Sequence, residues 1–161
     1  MEGKYDPRNK LNDLTGKEWL KLTKSFWMSE KCADDKAAFG HPAPFLIKDI
    51  EKLISFFTKK EMSVLDPFMG SGTTAIAAYN LGRLALGMDL SEEYRDLAVE
   101  RFKSKGMRET DYQYFIGDST KELTVFKRVD YIVTSPPYHN ILKNKSKGIR
   151  NDNSHKGYRN G

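Results

Sequence analysis

A chain of 161 residues, 39% hydrophobic and 12% aromatic, has the length of one domain with a sizeable core. No window approaches the roughly 18 consecutive apolar residues of a membrane helix, and the N-terminal MEGKYDPRNKLND lacks the apolar stretch of a secretory signal, so a soluble cytoplasmic protein is expected. The net charge of +5 is unevenly placed: residues 139–161 carry six Lys or Arg against Asp152 alone, which leaves the first 138 residues neutral with 21 charges of each sign.

In chain order, residues 1–14 are polar and irregular. Thr15-Gly-Lys-Glu18 has capping-box spacing, and EWLKLTKSFWMSE behind it brings Trp19, Leu22, Phe26 and Trp27 toward one face of a short amphipathic helix. After FGHPAPF, Pro44 is placed in the first turn of a second helix whose buried face is Phe45, Leu46, Ile50, Leu53, Ile54 and Phe57. From Met62 short apolar runs alternate with helical patterns. MSVLD, LALGMD, YQYFIGD and VDYIV read as strands; TTAIAAYNLG reads as a helix stopped by Gly82. SEEYRDLAVERFKSKG reads as a helix capped by Ser91, with Glu92 and Glu93 in its first turn and Tyr94, Leu97, Ala98 and Phe102 inward. Such alternation predicts an α/β fold, a doubly wound and mostly parallel sheet with helices on both faces. We divide the chain into an N-terminal segment with a short helix (1–40), a core (41–138) and a basic polar tail (139–161).

VLDPFMGSGTT, residues 64–74, lies at a strand-to-helix junction. Gly70 and Gly72 permit a tight turn and close approach of a ligand to the backbone, and the next helix offers free N–H groups. The third glycine of the dinucleotide fingerprint and the lysine of a P-loop are both missing, so phosphate is not the indicated ligand. Asp89, at the end of the second strand, stands 23 positions after Asp66, near the roughly 20-residue separation at which an acid meets ribose hydroxyls. Asp118 ends the third strand. Three strand-end acids disfavour a pyrophosphate but suit a nucleoside with a positive centre and an ammonium group, as in S-adenosylmethionine; read one at a time, each is equally a turn former. The single Cys32 cannot form an internal disulfide and reads as a small buried or half-buried residue. The three histidines, at 41, 139 and 155, show no metal-ligand spacing.

The fourth strand runs into Thr134-Ser-Pro-Pro-Tyr138. Two prolines remove two N–H donors and fix φ, which leaves a rigid strand tip that mainly accepts hydrogen bonds.

Together these motifs resemble the S-adenosylmethionine-dependent amino-group DNA methyltransferases of restriction–modification systems. DPFMGSGTT is similar to their cofactor loop, TSPPY to their catalytic motif, HPAPF to the segment before the loop, and GMDLSEEY and IGDS to the ribose and adenine positions, over about residues 15–140. The cofactor loop precedes the catalytic motif here, one of the family's permuted orders, although the wording of the loop is typical of the opposite order. The resemblance implies a Rossmann-like methyltransferase fold. It implies that Asp66, Pro67, Phe68, Gly70, Gly72 and Thr73 line the methionine side, that Asp89 holds the ribose hydroxyls and Asp118 the adenine amino group, and that His41 and Pro42 are peripheral contacts. Ser135, Pro136, Pro137 and Tyr138 become the catalytic group. The Ser135 oxygen and the Pro136 carbonyl accept from both N–H groups of an exocyclic amine, restoring its lone pair for attack on a methyl sulfonium, and Tyr138 stacks on a base flipped out of double-stranded DNA. Serine at the head of the motif points to cytosine N4 before adenine N6. The basic tail suits a polyanion.

The family fold continues for several strands beyond this motif, whereas KNKSKGIRNDNSHKGYRNG is almost devoid of apolar residues. The expectation is a piece of a longer enzyme, or half of a split one completed by a second polypeptide, with an apolar sheet edge left open. A module that only binds cofactor or DNA, a methyltransferase for RNA or protein amines, and a nicotinamide-binding fold are the alternatives.

Overall fold

The computed structural model describes residues 6–40 and 44–136. His41, Pro42, Pro137, Tyr138 and the basic tail lie outside the described residues.

Helix α1 (Gly16–Leu22) starts in the expected capping box: the Thr15 side chain accepts from the Glu18 N–H, and the Glu18 carboxylate accepts from the Thr15 N–H. It is shorter than the aromatic spacing predicts. Phe26 and Trp27 fall beyond its end, where Phe26 is largely exposed and the Trp27 indole N–H donates to Asp49 at 3.2 Å. Repeating aromatics alone do not sustain a helix whose apolar face meets little protein. A 3₁₀ segment, Ala33–Gly40, follows. Helix α2 (Ile47–Phe57) begins after Leu46, so Pro44 precedes the helix and is not in its first turn; Ile47, Ile50 and Ile54 form its buried stripe and Phe57 is exposed.

Strand β1 (Ser63–Asp66), helix α3 (Thr73–Asn80), strand β2 (Leu84–Asp89), helix α4 (Glu92–Lys105) and strand β3 (Tyr112–Ile116) then alternate as expected. Helix α4 has Ser91 accepting from the Tyr94 N–H at its start and Gly106 in the left-handed conformation at its end. A short helix α5 (Ser119–Glu122) and a 3₁₀ turn (Leu123–Val125) lead to strand β4 (Tyr131–Ile132). β4 is shorter than VDYIV predicts, although the Asp130 and Val133 N–H groups still donate to the Ser63 and Leu65 carbonyls.

The sheet is wholly parallel, in the order β3-β2-β1-β4. The chain leaves β1 for β2 and β3 on one side and returns to pair β4 on the other, so the order reverses between β1 and β4, where doubly wound sheets open their ligand crevice. Side chains alternate across the strands. Val64, Ala85, Tyr114 and Val133 point to the face packed with α2, α3 and α4, around the fully buried Ile47, Ile50, Ile54, Ile76 and Phe102. Each such side chain contributes about 1.5–3 kcal/mol of burial.

The alternation predicts helix cover on both faces; the long described helices instead share one cluster on one face. The other face meets the segment after β3, where Phe126 packs edge-on against Phe115, while Ile132 remains 55% exposed. No helix among the described residues is long and apolar enough to cross a membrane.

Candidate cofactor and catalytic site

The turn from β1 into α3 sits at the carboxyl edge of the sheet, and several elements hold it. Its Met69 N–H donates to the Met88 carbonyl at 2.9 Å, and its Gly70 N–H donates to Asp89 Oδ2 at 2.8 Å. Gly72 caps α3 at φ +80°, and a Cβ there would lie 2.5 Å from Phe102 Cε1, so both backbone and packing require glycine. On β2, a Cβ at Gly87 would lie 2.1 Å from Met69 Cε, so that glycine lets the loop lie down on the strand. The first turn of α3 carries no acid and no side-chain cap.

Asp66, Asp89 and Asp118 all reach this edge, and each makes the same local turn: its carboxylate accepts from the N–H two residues on, of Phe68, Ser91 and Thr120 respectively. The turn-forming reading therefore holds for all three. Asp66 is 1% exposed. Its Oδ2 accepts from Thr74 Oγ1 at 2.6 Å and its Oδ1 from Thr134 Oγ1 at 2.8 Å, which joins the first strand, the loop helix and the exit of β4. Burial raises its pKa, the three hydrogen bonds oppose that, and the neighbouring Asp89 raises it further. Asp118 behaves oppositely: the Lys121 ammonium at 2.8 Å, with Thr120, pulls its pKa down to about 2.

Pro67 is buried, its carbonyl accepting from Ser119 Oγ, and Phe68 is half-buried. Past β4, Ser135 is half-buried and Pro136 exposed, directly after Thr134 and hence beside the loop that Asp66 anchors. Cys32 is half-buried, as expected, with its N–H donating to Asp35 and its thiol pKa raised mainly by burial.

Two residues that hold this loop escape sequence reasoning. The Tyr114 hydroxyl donates to the Gly70 carbonyl at 2.7 Å, and burial, with the Asp89 and Asp66 charges, raises its pKa so that it stays a donor. Arg101, on α4, donates to the Ser71 carbonyl and to Thr73 Oγ1 at 3.1 Å. Its position three residues after Ala98, on the inward face of α4, is the available signal; a charged residue there reads by default as solvated.

A glycine-rich turn between β1 and α3 and a switch point in a parallel sheet together define a Rossmann-like α/β fold. Comparison with known proteins narrows this. The family model for DNA methylases of the N6/N4 group matches residues 1–100, and the chain belongs to that family. It is 40% identical over 66 residues to the Type II methyltransferase M.ScaI of Streptomyces caespitosus, covering 41% of this chain and 22% of that one. To M2.DpnII of Streptococcus pneumoniae it is 35% identical over 102 residues, covering 63% and 36%. A solved protein of Thermus thermophilus, described as a putative DNA modification methylase and complexed with S-adenosyl-L-methionine, superposes with a TM-score of 0.50 at 31% identity, covering 65% of this chain and 39% of that one. The chain thus spans about a third or less of the length of these curated relatives.

Proposed function

We propose that this chain carries the cofactor-binding core and catalytic tip of a site-specific DNA methyltransferase that moves a methyl group from S-adenosylmethionine to the exocyclic amine of a flipped base, cytosine N4 before adenine N6. The observation that carries it is the Asp66 carboxylate, which bonds Thr74 behind the loop and Thr134 just before Ser135 and so holds cofactor loop and catalytic segment in register. The residues fit this cofactor: the mutual influence of Asp66, Asp89 and Tyr114 marks an electronegative edge, suited to a sulfonium and an ammonium. When bound, the cofactor supplies an electrophilic methyl group.

Asp89 keeps lone pairs beyond its bonds to Gly70 and Ser91 for ribose hydroxyls, and Asp118, held ionised, is the acceptor for the adenine amino group. Pro67, Phe68, Gly70, Gly72 and Thr73 line the methionine side, with His41 and Pro42 at its rim. Ser135 Oγ and the Pro136 carbonyl accept from the target amine, Pro137 stiffens the tip, and Tyr138 stacks on the base. Residues 41–138 form the working core, with 1–40 laid against it and 139–161 as a basic tail toward DNA phosphates. A second polypeptide, or further chain, covers the sheet at its β4 edge; the exposed Ile132 supports this. On this reading the protein works in the cytoplasm.

Labelled methyl transfer from S-adenosylmethionine to duplex DNA, alone and with neighbouring gene products, tests the reading. Ser135→Ala is expected to lower transfer about a hundredfold while leaving cofactor affinity unchanged. Transfer to RNA in preference to duplex DNA, or no transfer under any condition, would overturn it. Nucleoside digestion of the product separates N4-methylcytosine from N6-methyladenine.

A further inference from the structure

The carbonyls of Gly70 and Ser71 accept from buried side chains of two other elements, Tyr114 of β3 and Arg101 of α4. Arg101 does more than satisfy one carbonyl. Its Nη1 reaches the Ser71 carbonyl, Ser71 Oγ at 3.2 Å and Thr73 Oγ1 at 3.1 Å, while its Nη2 reaches the Asp34 carbonyl at 3.3 Å in the 3₁₀ segment Ala33–Gly40. Arg101 is 5% exposed, and its Nε is a buried side-chain donor with no partner among the described residues. That is a costly arrangement for stability alone, since a buried cation with an unmet N–H is stabilised no better than a well-packed apolar side chain.

A half-open pocket of about 200 Å³ lies between α4 and the 3₁₀ segment, lined by Asp34, Ala37, Ile76, Leu97 and Arg101 among others. Polar ties cross beside it. Beside Arg101, the Lys105 ammonium pairs with the Asp34 carboxylate at 2.6 Å, and Asp35, 2% exposed, accepts from the Cys32 and Ile47 N–H groups.

We propose that Arg101 is a positioning residue for the cofactor loop: one guanidinium locks Ser71 and Thr73 in their binding geometry and couples them to the segment that leads into residues 41–44. This rests on the S-adenosylmethionine reading above. Only a planar fork of donors meets the carbonyl, both hydroxyls and Asp34 together; a lysine ammonium satisfies part of the set.

Three measurements on the full chain test it. Titration calorimetry with S-adenosylmethionine is expected to show affinity lowered about tenfold by Arg101→Met and less by Arg101→Lys, because bonds to a charged donor at the loop are lost. Arg83→Met, a buried arginine at the far edge of the sheet, is expected to leave affinity within about twofold while lowering the melting temperature. Hydrogen exchange, read without cofactor, is expected to quicken at Gly70–Thr74 and at residues 34–40 in Arg101→Lys, with β1 and β2 unchanged. Should the wild-type chain fail to bind S-adenosylmethionine, the cofactor reading falls and exchange alone decides the role of Arg101. Unchanged exchange in Arg101→Lys, or a folded Arg101→Met that binds like wild type, overturns the inference.

Discussion

The two ends of the sheet each bury an arginine, and they satisfy it differently. At the amino end Arg83, 8% exposed, donates from Nε and Nη2 to Thr58 Oγ1 and the Thr58 carbonyl at 3.0 and 2.8 Å, and from Nη1 to the Leu81 carbonyl. It closes the end of α2 and the turn before β2, and the Asp13 carboxylate lies 3.6 Å away. At the carboxyl end Arg101 spends its bonds on the Gly-rich loop and leaves Nε unmet. Their carboxylates differ in the same way. Asp130, before β4, accepts from the Ser63 N–H and hydroxyl, and these bonds lower its pKa; Asp66, at the end of β1, is buried and its pKa is raised. One end is built for stability and the other tolerates polar groups that cost stability, the pattern of a site.

The sharpest break in this comparison is between two glycines with positive φ. Gly72→Ala forces a Cβ onto Phe102 as well as straining the backbone, and is expected to cost about 2–4 kcal/mol in urea unfolding and to abolish cofactor binding. Gly82→Ala, at the amino end with open space around it, is expected to cost only ~1 kcal/mol and to leave binding intact. Equal costs would mean that the loop glycine is not gripped by Phe102.

Next in size is Arg83→Met, which leaves the Thr58 and Leu81 carbonyls unmet and is expected to cost about 2–3 kcal/mol by thermal unfolding without changing loop exchange. Loop amides that quicken as much as in Arg101→Lys would erase the distinction between the ends.

The smallest effects are in pH dependence. With its folded pKa raised above the unfolded value, Asp66 contributes stability that is complete below the ordinary carboxylate range and lost as pH rises through the folded value. Relative to wild type, Asp66→Asn, which loses one of the two acceptor oxygens but cannot ionise, is therefore expected to gain stability as pH rises through the folded value. Asp130, with its folded pKa lowered, contributes stability above the ordinary range that is lost as pH falls through the folded value, so Asp130→Asn is expected to be less stable than wild type at pH 7, by ~1 kcal/mol or less. Two denaturation series from pH 3 to 7 check both; parallel curves for the two variants would show that the ends do not differ electrostatically.

Elements with strong local signals are legible in the sequence. The capping box at Thr15, the Ser91 cap, and the strand and helix alternation from Met62 all correspond to observed elements, because each depends on neighbours a few residues apart. Asp66 and Asp89 are legible as strand-end acids; Asp118, expected to end the third strand, instead lies two residues beyond β3 and caps α5. The 3₁₀ segment carries no such signal, and the aromatic run Phe26–Trp27 gives a misleading one, since helical spacing cannot say whether a partner surface exists.

By itself, then, the sequence determined the alternating fold, the glycine turn and the acids at the strand ends, since turn chemistry and periodicity are local properties of the chain. Tertiary structure alone decided which groups meet across it: Thr134 on Asp66, 68 positions apart, Tyr114 on Gly70, 44 apart, and Arg101 on Ser71, 30 apart. Those contacts exist only once β1 has paired with β2 and β4 and α4 has packed on the sheet. A buried polar group takes whichever partner that packing brings within hydrogen-bonding distance.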